Sequence, residues 1–193
     1  MRIIRITAPW FLLFSFTCSL AWSQGAPLNV DVFAEGGVSF IRNISPEYTD
    51  LICPVSGCPP PVTFSNAGRL FTGVRLRTGH NAVEGGYSFS PNQALGYNRL
   101  NLFSFNYVRY LSLRSKVQPF ATIGLGASRF SGLSNAPSNF RFVWNYGGGT
   151  DIALYRRLAL RLELRDYVNG QPRYFIGTAH NIVPSAGIVF RIQ

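Results

Sequence analysis

From Leu158 to Arg165 the chain alternates without a break: Leu158, Leu160, Leu162 and Leu164 fall on one parity, and Ala159, Arg161, Glu163 and Arg165 on the other. A strand sends successive side chains to opposite faces, so this run has one apolar and one ionic face, whereas a helix would scatter the leucines round its axis. Just before it, Trp144, Tyr146, Gly148, Thr150, Ile152 and Leu154 share one parity, and Asn145, Gly147, Gly149 and Asp151 the other. Only Tyr155-Arg156-Arg157 separates the two runs, which predicts an antiparallel hairpin with a short turn. Neither run contains proline, and each is long enough to cross a bilayer when tilted, which takes about 9 to 11 residues.

The start of the chain tells where such strands would fold. A basic opening, Met1 to Arg5, leads into an apolar and aromatic stretch from Ala8 to Trp22, and Ala21-Trp22-Ser23 offers small residues for a cleavage site. That is the layout of a secretory signal peptide over residues 1–23, ahead of a single domain over 24–193. The apolar stretch falls short of the roughly 20 residues a spanning helix needs. Cys18 lies within it and would leave with it.

Charged residues make up 13% of the chain and aromatics 15%, with 19 glycines, whereas soluble domains carry about 25% charged residues. A secreted chain so poor in charge must put its apolar surface somewhere other than water. Lys and Arg total 18 and the formal charge is +10, yet Lys116 is the one lysine. Arginines spread along alternating strands argue against a nucleic-acid tail. They fit planar, always-charged donors used in ion-pair networks or against lipid phosphates.

Taken in order, the mature chain predicts eight strands. The first places Val30, Val32, Ala34, Gly36, Val38 and Phe40 opposite Asp31, Glu35 and Ser39. A proline-rich loop over Asn43–Gly68 leads to a second, with Leu70, Thr72, Val74 and Leu76 opposite Gly73, Arg75 and Arg77. A tight turn, Thr78 to Asn81, gives a third with Val83, Tyr87 and Phe89 opposite Glu84, Gly86 and Ser88. Ser90 to Arg99 reads as a second long connection. The fourth strand, Leu100 to about Tyr110, has two apolar parities, Leu100 and Leu102 against Phe103, Phe105 and Tyr107, which a bulge near Phe103 would reconcile. After a turn at Arg114-Ser115-Lys116, the fifth, Gln118 to Phe130, sets Ala121, Ile123, Leu125 and Ala127 opposite Thr122, Gly124, Gly126 and Ser128. A polar loop over Ser131–Asn139 precedes the hairpin of the sixth and seventh strands. A last loop, Asn169 to His180, precedes the eighth, where Ile182, Pro184, Ala186, Ile188, Phe190 and Ile192 oppose Ser185, Gly187 and Arg191.

Connections that alternate long and short put the trimmed turns at one end of an up-and-down meander and the elaborated loops at the other, as in outer-membrane barrels. A bilayer also demands closure, because an open sheet edge in hydrocarbon leaves backbone groups unpaired. The leucine face then touches lipid and the ionic face looks into the lumen. The segments Pro119 to Gly126, Asn145 to Asp151, Arg157 to Tyr167 and Gly187 to Arg191 resemble the small outer-membrane β-barrel superfamily typified by the OmpA transmembrane domain and OmpX. The resemblance implies an all-β, eight-stranded antiparallel barrel in a bacterial outer membrane, in contact with outer-membrane lipid and lipopolysaccharide and inserted by the assembly machinery. Family members commonly end in an aromatic residue, whereas this chain ends Arg191-Ile192-Gln193, and no peptidoglycan-binding domain is expected after the barrel.

Within that frame the inward parity collects Asp31, Glu35, Glu84, Asp151 and Glu163 with Arg75, Arg77, Arg141, Arg161, Arg165 and Arg191. An eight-stranded barrel is just wide enough for side chains to fill it, so these charges should pair into a stiffening plug. A narrow arginine-lined pore is the alternative. A lipid A-modifying hydrolase would need serine, histidine and carboxylate within reach, but Ser185 and His180 lie on opposite parities and His80 sits in a short turn. The expectation is a non-enzymatic protein without cofactor or metal. Cys53 and Cys58 enclose Pro-Val-Ser-Gly in the first long loop. Outside the cytoplasm such a pair reads as a disulfide, with a two-thiolate metal site as the less complete reading. Stiffened by that bridge and five prolines, this loop is the candidate for an extracellular ligand. Gly147, Gly148 and Gly149 either leave lumen space for arginines or let the sheet curve. Trp144, Tyr146, Tyr110, Tyr155 and Tyr167 lie near strand ends, where aromatic rings either favour the membrane interface or pack under loops.

Overall fold

The structure is a computed structural model that describes residues 27–42, 66–94, 97–131, 139–170 and 178–192. The segment 1–23 and the Cys53–Cys58 pair lie outside the described residues. Eight strands follow in chain order: β1 (Leu28–Arg42), β2 (Ala67–Thr78), β3 (Asn81–Ala94), β4 (Tyr97–Tyr110), β5 (Val117–Ser131), β6 (Asn139–Tyr155), β7 (Leu158–Gly170) and β8 (Thr178–Arg191). Each pairs antiparallel with its sequence neighbours, and β1 pairs with β8 to close the barrel. Closure leaves no strand edge unpaired, the condition for placing a sheet in hydrocarbon.

Alternation sets the two faces. On the outside Leu70 is 66% exposed, Phe105 65%, Phe142 64% and Leu125 57%, and the other expected outward residues of β1, β5, β6 and β8 follow the same parity. Asp31, Arg75, Glu84, Asp151 and Arg161 are wholly buried on the inside. This inverts the arrangement of a soluble protein. The outer belt is a contiguous apolar surface far larger than the few hundred Å² that soluble monomers expose.

The fourth strand differs from the sequence reading. Its register with β3 runs unshifted from Asn81↔Arg109 to Pro91↔Arg99, so there is no bulge at Phe103. Phe103, Phe105 and Tyr107 face outward, and Leu100 and Leu102 are buried inside. Both parities of the strand are apolar because Leu102 packs inside against Val143, Tyr167 and Val183.

The second long connection is also shorter than the sequence suggests. β3 continues through Ser90 and Pro91 to Ala94, and β4 starts at Tyr97, so the long–short alternation fails at this hairpin. The register shift between Pro91 and Ala94 is where the ladder takes in a residue without an N–H donor. At the other end β2 and β3 are joined by Gly79 and His80. Gly79 has φ +56°, a left-handed conformation that glycine adopts without a Cβ penalty.

Candidate functional site: the ionic lumen

Inside the barrel three arginines and four carboxylates form one network. Asp151 and Arg161 are register partners on β6 and β7, and the guanidinium grips the carboxylate with two bonds, Nε to Oδ1 at 2.7 Å and Nη2 to Oδ2 at 3.0 Å. Arg161 Nη1 also reaches Glu35 and Glu84, each at 3.5 Å. Arg75 donates to its register partner Glu84 on β3 and crosses to Asp151 at 3.4 Å. Arg165 donates to Glu84 at 3.1 Å and to Glu163, two residues away on the same face of β7. The planar five-donor fork of arginine suits such branching, since a lysine could not hold two carboxylates in fixed planes.

Polar side chains from other strands complete the network. Tyr110 Oη donates to Asp151 Oδ2 at 2.6 Å, and Asn106 Nδ2 donates to Glu84 Oε1 at 3.1 Å. Asn145 Nδ2 donates to Asn106 Oδ1 at 2.9 Å, and Ser185 Oγ donates to Glu35 Oε2 at 2.7 Å. Through these groups and Phe120 of β5, all eight strands meet in the centre. Of the expected lumen residues, the structure brings Glu35, Arg75, Glu84, Asp151, Arg161, Glu163 and Arg165 together. Arg77 lies nearer the termini, where it and Arg191 donate to Gln118 Oε1 at 3.4 and 2.8 Å. Arg141 faces inward at the loop end of β6, where its carbonyl accepts from Ser128 Oγ at 3.3 Å.

Sequence reading missed the aromatic rings within this network. Arg161 Cζ lies 4.9 Å from the Phe33 ring centroid and 5.3 Å from that of Phe120, and Arg165 Cζ lies 5.2 Å from that of Phe71. A cation on an aromatic face gains about 2 kcal/mol or more when desolvated. Tyr110 and Tyr167, read from sequence as interface residues, are instead buried inside. Arg69 lies over the Tyr167 ring at 4.2 Å, while Trp144, Tyr146 and Tyr155 do face outward. Parity held the clue, since Phe33 stands between Asp31 and Glu35 on the inward face and Phe71 shares the face of Arg69 and Arg75.

Apolar clusters lie on both sides of the charges. Ala82, Val108, Tyr110 and Phe120, backed by Leu113, pack at the end that carries the short turns, and Leu102, Val143, Tyr167 and Val183 pack at the loop end. A cavity of about 10 Å³ between Glu35, Arg69, Glu163, Arg165 and Tyr167 has room for about one water molecule. The lumen is therefore an ionic centre flanked by apolar side chains at both ends, interspersed at the loop end with buried Ser88, Ser128, Asn169 and Asn181.

Gly147 of β6, read from sequence as lumen space for arginines or a point of sheet curvature, sits against neighbouring backbone. A Cβ on Gly147 would stand 2.3 Å from the Leu164 carbonyl oxygen and 2.8 Å from Arg165 Cα. Backbone rather than the arginine head fills that space, so close approach of β6 and β7 is what excludes a side chain.

The serine and histidine considered for hydrolysis are separated by the barrel wall. Ser185 bonds Glu35 inside, whereas His180 Nδ1–H donates to Asp166 Oδ2 at 2.7 Å on the outside, where Tyr146 Oη also donates to Asp166 at 2.9 Å. His80 Nδ1–H donates to the Tyr110 carbonyl at 2.9 Å and serves as a turn contact. Among the described residues no group of three or more His, Cys, Asp and Glu is placed to hold a metal ion.

The fold is a closed, eight-stranded antiparallel barrel with an apolar exterior and a filled, charged interior. Among solved structures, the chain is similar to the crystal structure of Neisserial surface protein A, with 14% identity over 86% of this chain and 98% of that one and a TM-score of 0.62. It is also similar to the N-terminal β-barrel domain of Pseudomonas aeruginosa OprF, with 12% identity over 85% of this chain and 97% of that one and a TM-score of 0.55. No family model matches the chain, and no curated protein matches it in sequence.

Proposed function

We propose that the protein is a non-enzymatic barrel of a bacterial outer membrane, rigid and closed to ions, that acts as a scaffold for its external loops. The observation that carries this reading is the filled lumen, in which the ion pairs sit at 0–2% side-chain exposure between two apolar clusters. Ions have no open path through a section that side chains fill, where Arg75, Arg161 and Arg165 are each paired with carboxylates and apolar side chains pack above and below. Wide aqueous channels belong to barrels with many more strands. On this reading residues 43–66, with Cys53 and Cys58, face the exterior and meet the ligand, and the belt contacts membrane lipid.

In planar bilayers the purified full chain is expected to give no discrete conductance steps, and stable ohmic steps from the folded protein would establish a pore instead. The lipid contact has its own test. Leu125 stands near the middle of β5 on the outer face, and a cation there would sit in hydrocarbon. Leu125→Lys is expected to lower unfolding free energy in lipid vesicles by about 2 kcal/mol, and an unchanged urea midpoint would remove lipid from that position.

A further inference from the structure

The end of the barrel that carries β1 Leu28 and β8 Arg191 is basic in a way the lumen does not explain. Arg109, Arg114, Lys116, Arg156 and Arg157 are all exposed there, and none belongs to the central network. Among the described residues no acidic side chain is exposed at this end, because Asp31, the nearest, is wholly buried inside.

The short turns that carry these cations lie side by side. Ala153 N–H donates to the Lys116 carbonyl at 2.8 Å, joining the β4–β5 turn to the end of β6, and Arg191 N–H donates to the Arg157 carbonyl at 2.8 Å, joining the β6–β7 turn to β8. Arg109 is held in place by Asn81, which also accepts from Tyr107 Oη. The cations therefore form one arc along the rim. Apolar side chains stand among them: Leu111 is 68% exposed, Leu154 58% and Tyr155 75%. These continue the apolar belt up to the charges.

We infer that this rim binds the phosphodiester headgroups of anionic phospholipids in the leaflet on the side of the chain termini. Phosphates directly above acyl chains present the sequence of chemistry that the arc presents in reverse, with leucines below and guanidinium forks at the edge. A nucleic acid would meet the cations but leave Leu111 and Leu154 in water. The inference rests on the membrane-embedded reading and adds to it the leaflet, the headgroup class and the residues. Each cation near an anionic surface contributes about fivefold in affinity.

The test uses native mass spectrometry of the full chain, folded in detergent and titrated with phosphatidylglycerol or with phosphatidylcholine of the same acyl chains. The wild type is expected to retain phosphatidylglycerol at least tenfold better. In the variant R114Q/K116Q/R156Q/R157Q, four exposed changes outside the network, retention of the two lipids is expected to become nearly equal. Equal retention by wild type and variant would overturn the proposal, as would an equal loss from R42Q/R99Q at the opposite rim. Displacement of the lipid by millimolar glycerol phosphate would also overturn it, by showing a site for free phosphate. A chain that fails to insert into vesicles at all would sink the membrane reading itself, whereas an inserted chain without headgroup preference would sink this inference alone.

Discussion

Arg161→Met is expected to destabilise the folded barrel by about 3 to 5 kcal/mol, the range for removing one partner of a buried ion pair. Methionine fills a similar volume, so the loss would come from charge rather than from a cavity. Without the guanidinium, Asp151 keeps only Tyr110 at 2.6 Å and Arg75 at 3.4 Å, and Glu35 keeps Ser185 at 2.7 Å. Two buried carboxylates would stay without their guanidinium partner, and the cation between the Phe33 and Phe120 rings would be gone. Urea unfolding of the full chain in lipid vesicles measures the effect. Arg161→Lys, which keeps a charge but not the two-bond grip, should lose less. A change below about 1 kcal/mol for Arg161→Met would mean that the carboxylates are balanced by something other than Arg161.

The second large effect concerns closure. A Cβ built on Gly187 of β8 would lie 2.1 Å from the Ala34 carbonyl oxygen and 2.5 Å from Glu35 Cα, both backbone atoms of β1 that cannot swing aside. Gly187→Ala must therefore push β8 away from β1 at the pair that seals the barrel, with an expected loss of about 3 kcal/mol, at the upper end of overpacking costs. Gly36 supplies the control. It is the register partner of Ala186 on the same seam, it faces outward, and nothing lies within 4 Å of its Cβ position. Gly36→Ala should leave stability within about 0.5 kcal/mol, as surface substitutions do. Equal urea midpoints for the two variants would show that the seam has slack at Gly187.

Strand number, closure and the outward face were all legible in the period of two, because a barrel in hydrocarbon imposes that period on every strand. The inward side of Asp31, Glu35, Arg75, Glu84, Asp151, Arg161, Glu163 and Arg165 was legible for the same reason, whereas buried Arg69, just before the run that marked the second strand, was not. Partner choice was not. Asp151 and Arg161 meet across one ladder, but Arg75 reaches Asp151 across the lumen, and that distance depends on how eight strands stagger round the barrel. The rings of Phe33, Phe71 and Phe120 were hidden for another reason, since an apolar residue on a polar face looks like noise until the arginine above it is seen. Pro91 misled in the opposite direction. Proline beside Ser90 and Asn92 reads as loop, yet the strand carries through it to Ala94.

Because β1 pairs with β8, the contact that seals the cylinder joins the first strand to the last. A nascent copy lacking its last dozen residues has two ragged margins, each lined with unanswered amides, and no way to hide them from one another. Until the final strand pairs with the first, those margins stay open, and each would leave its amides unanswered in any medium without water.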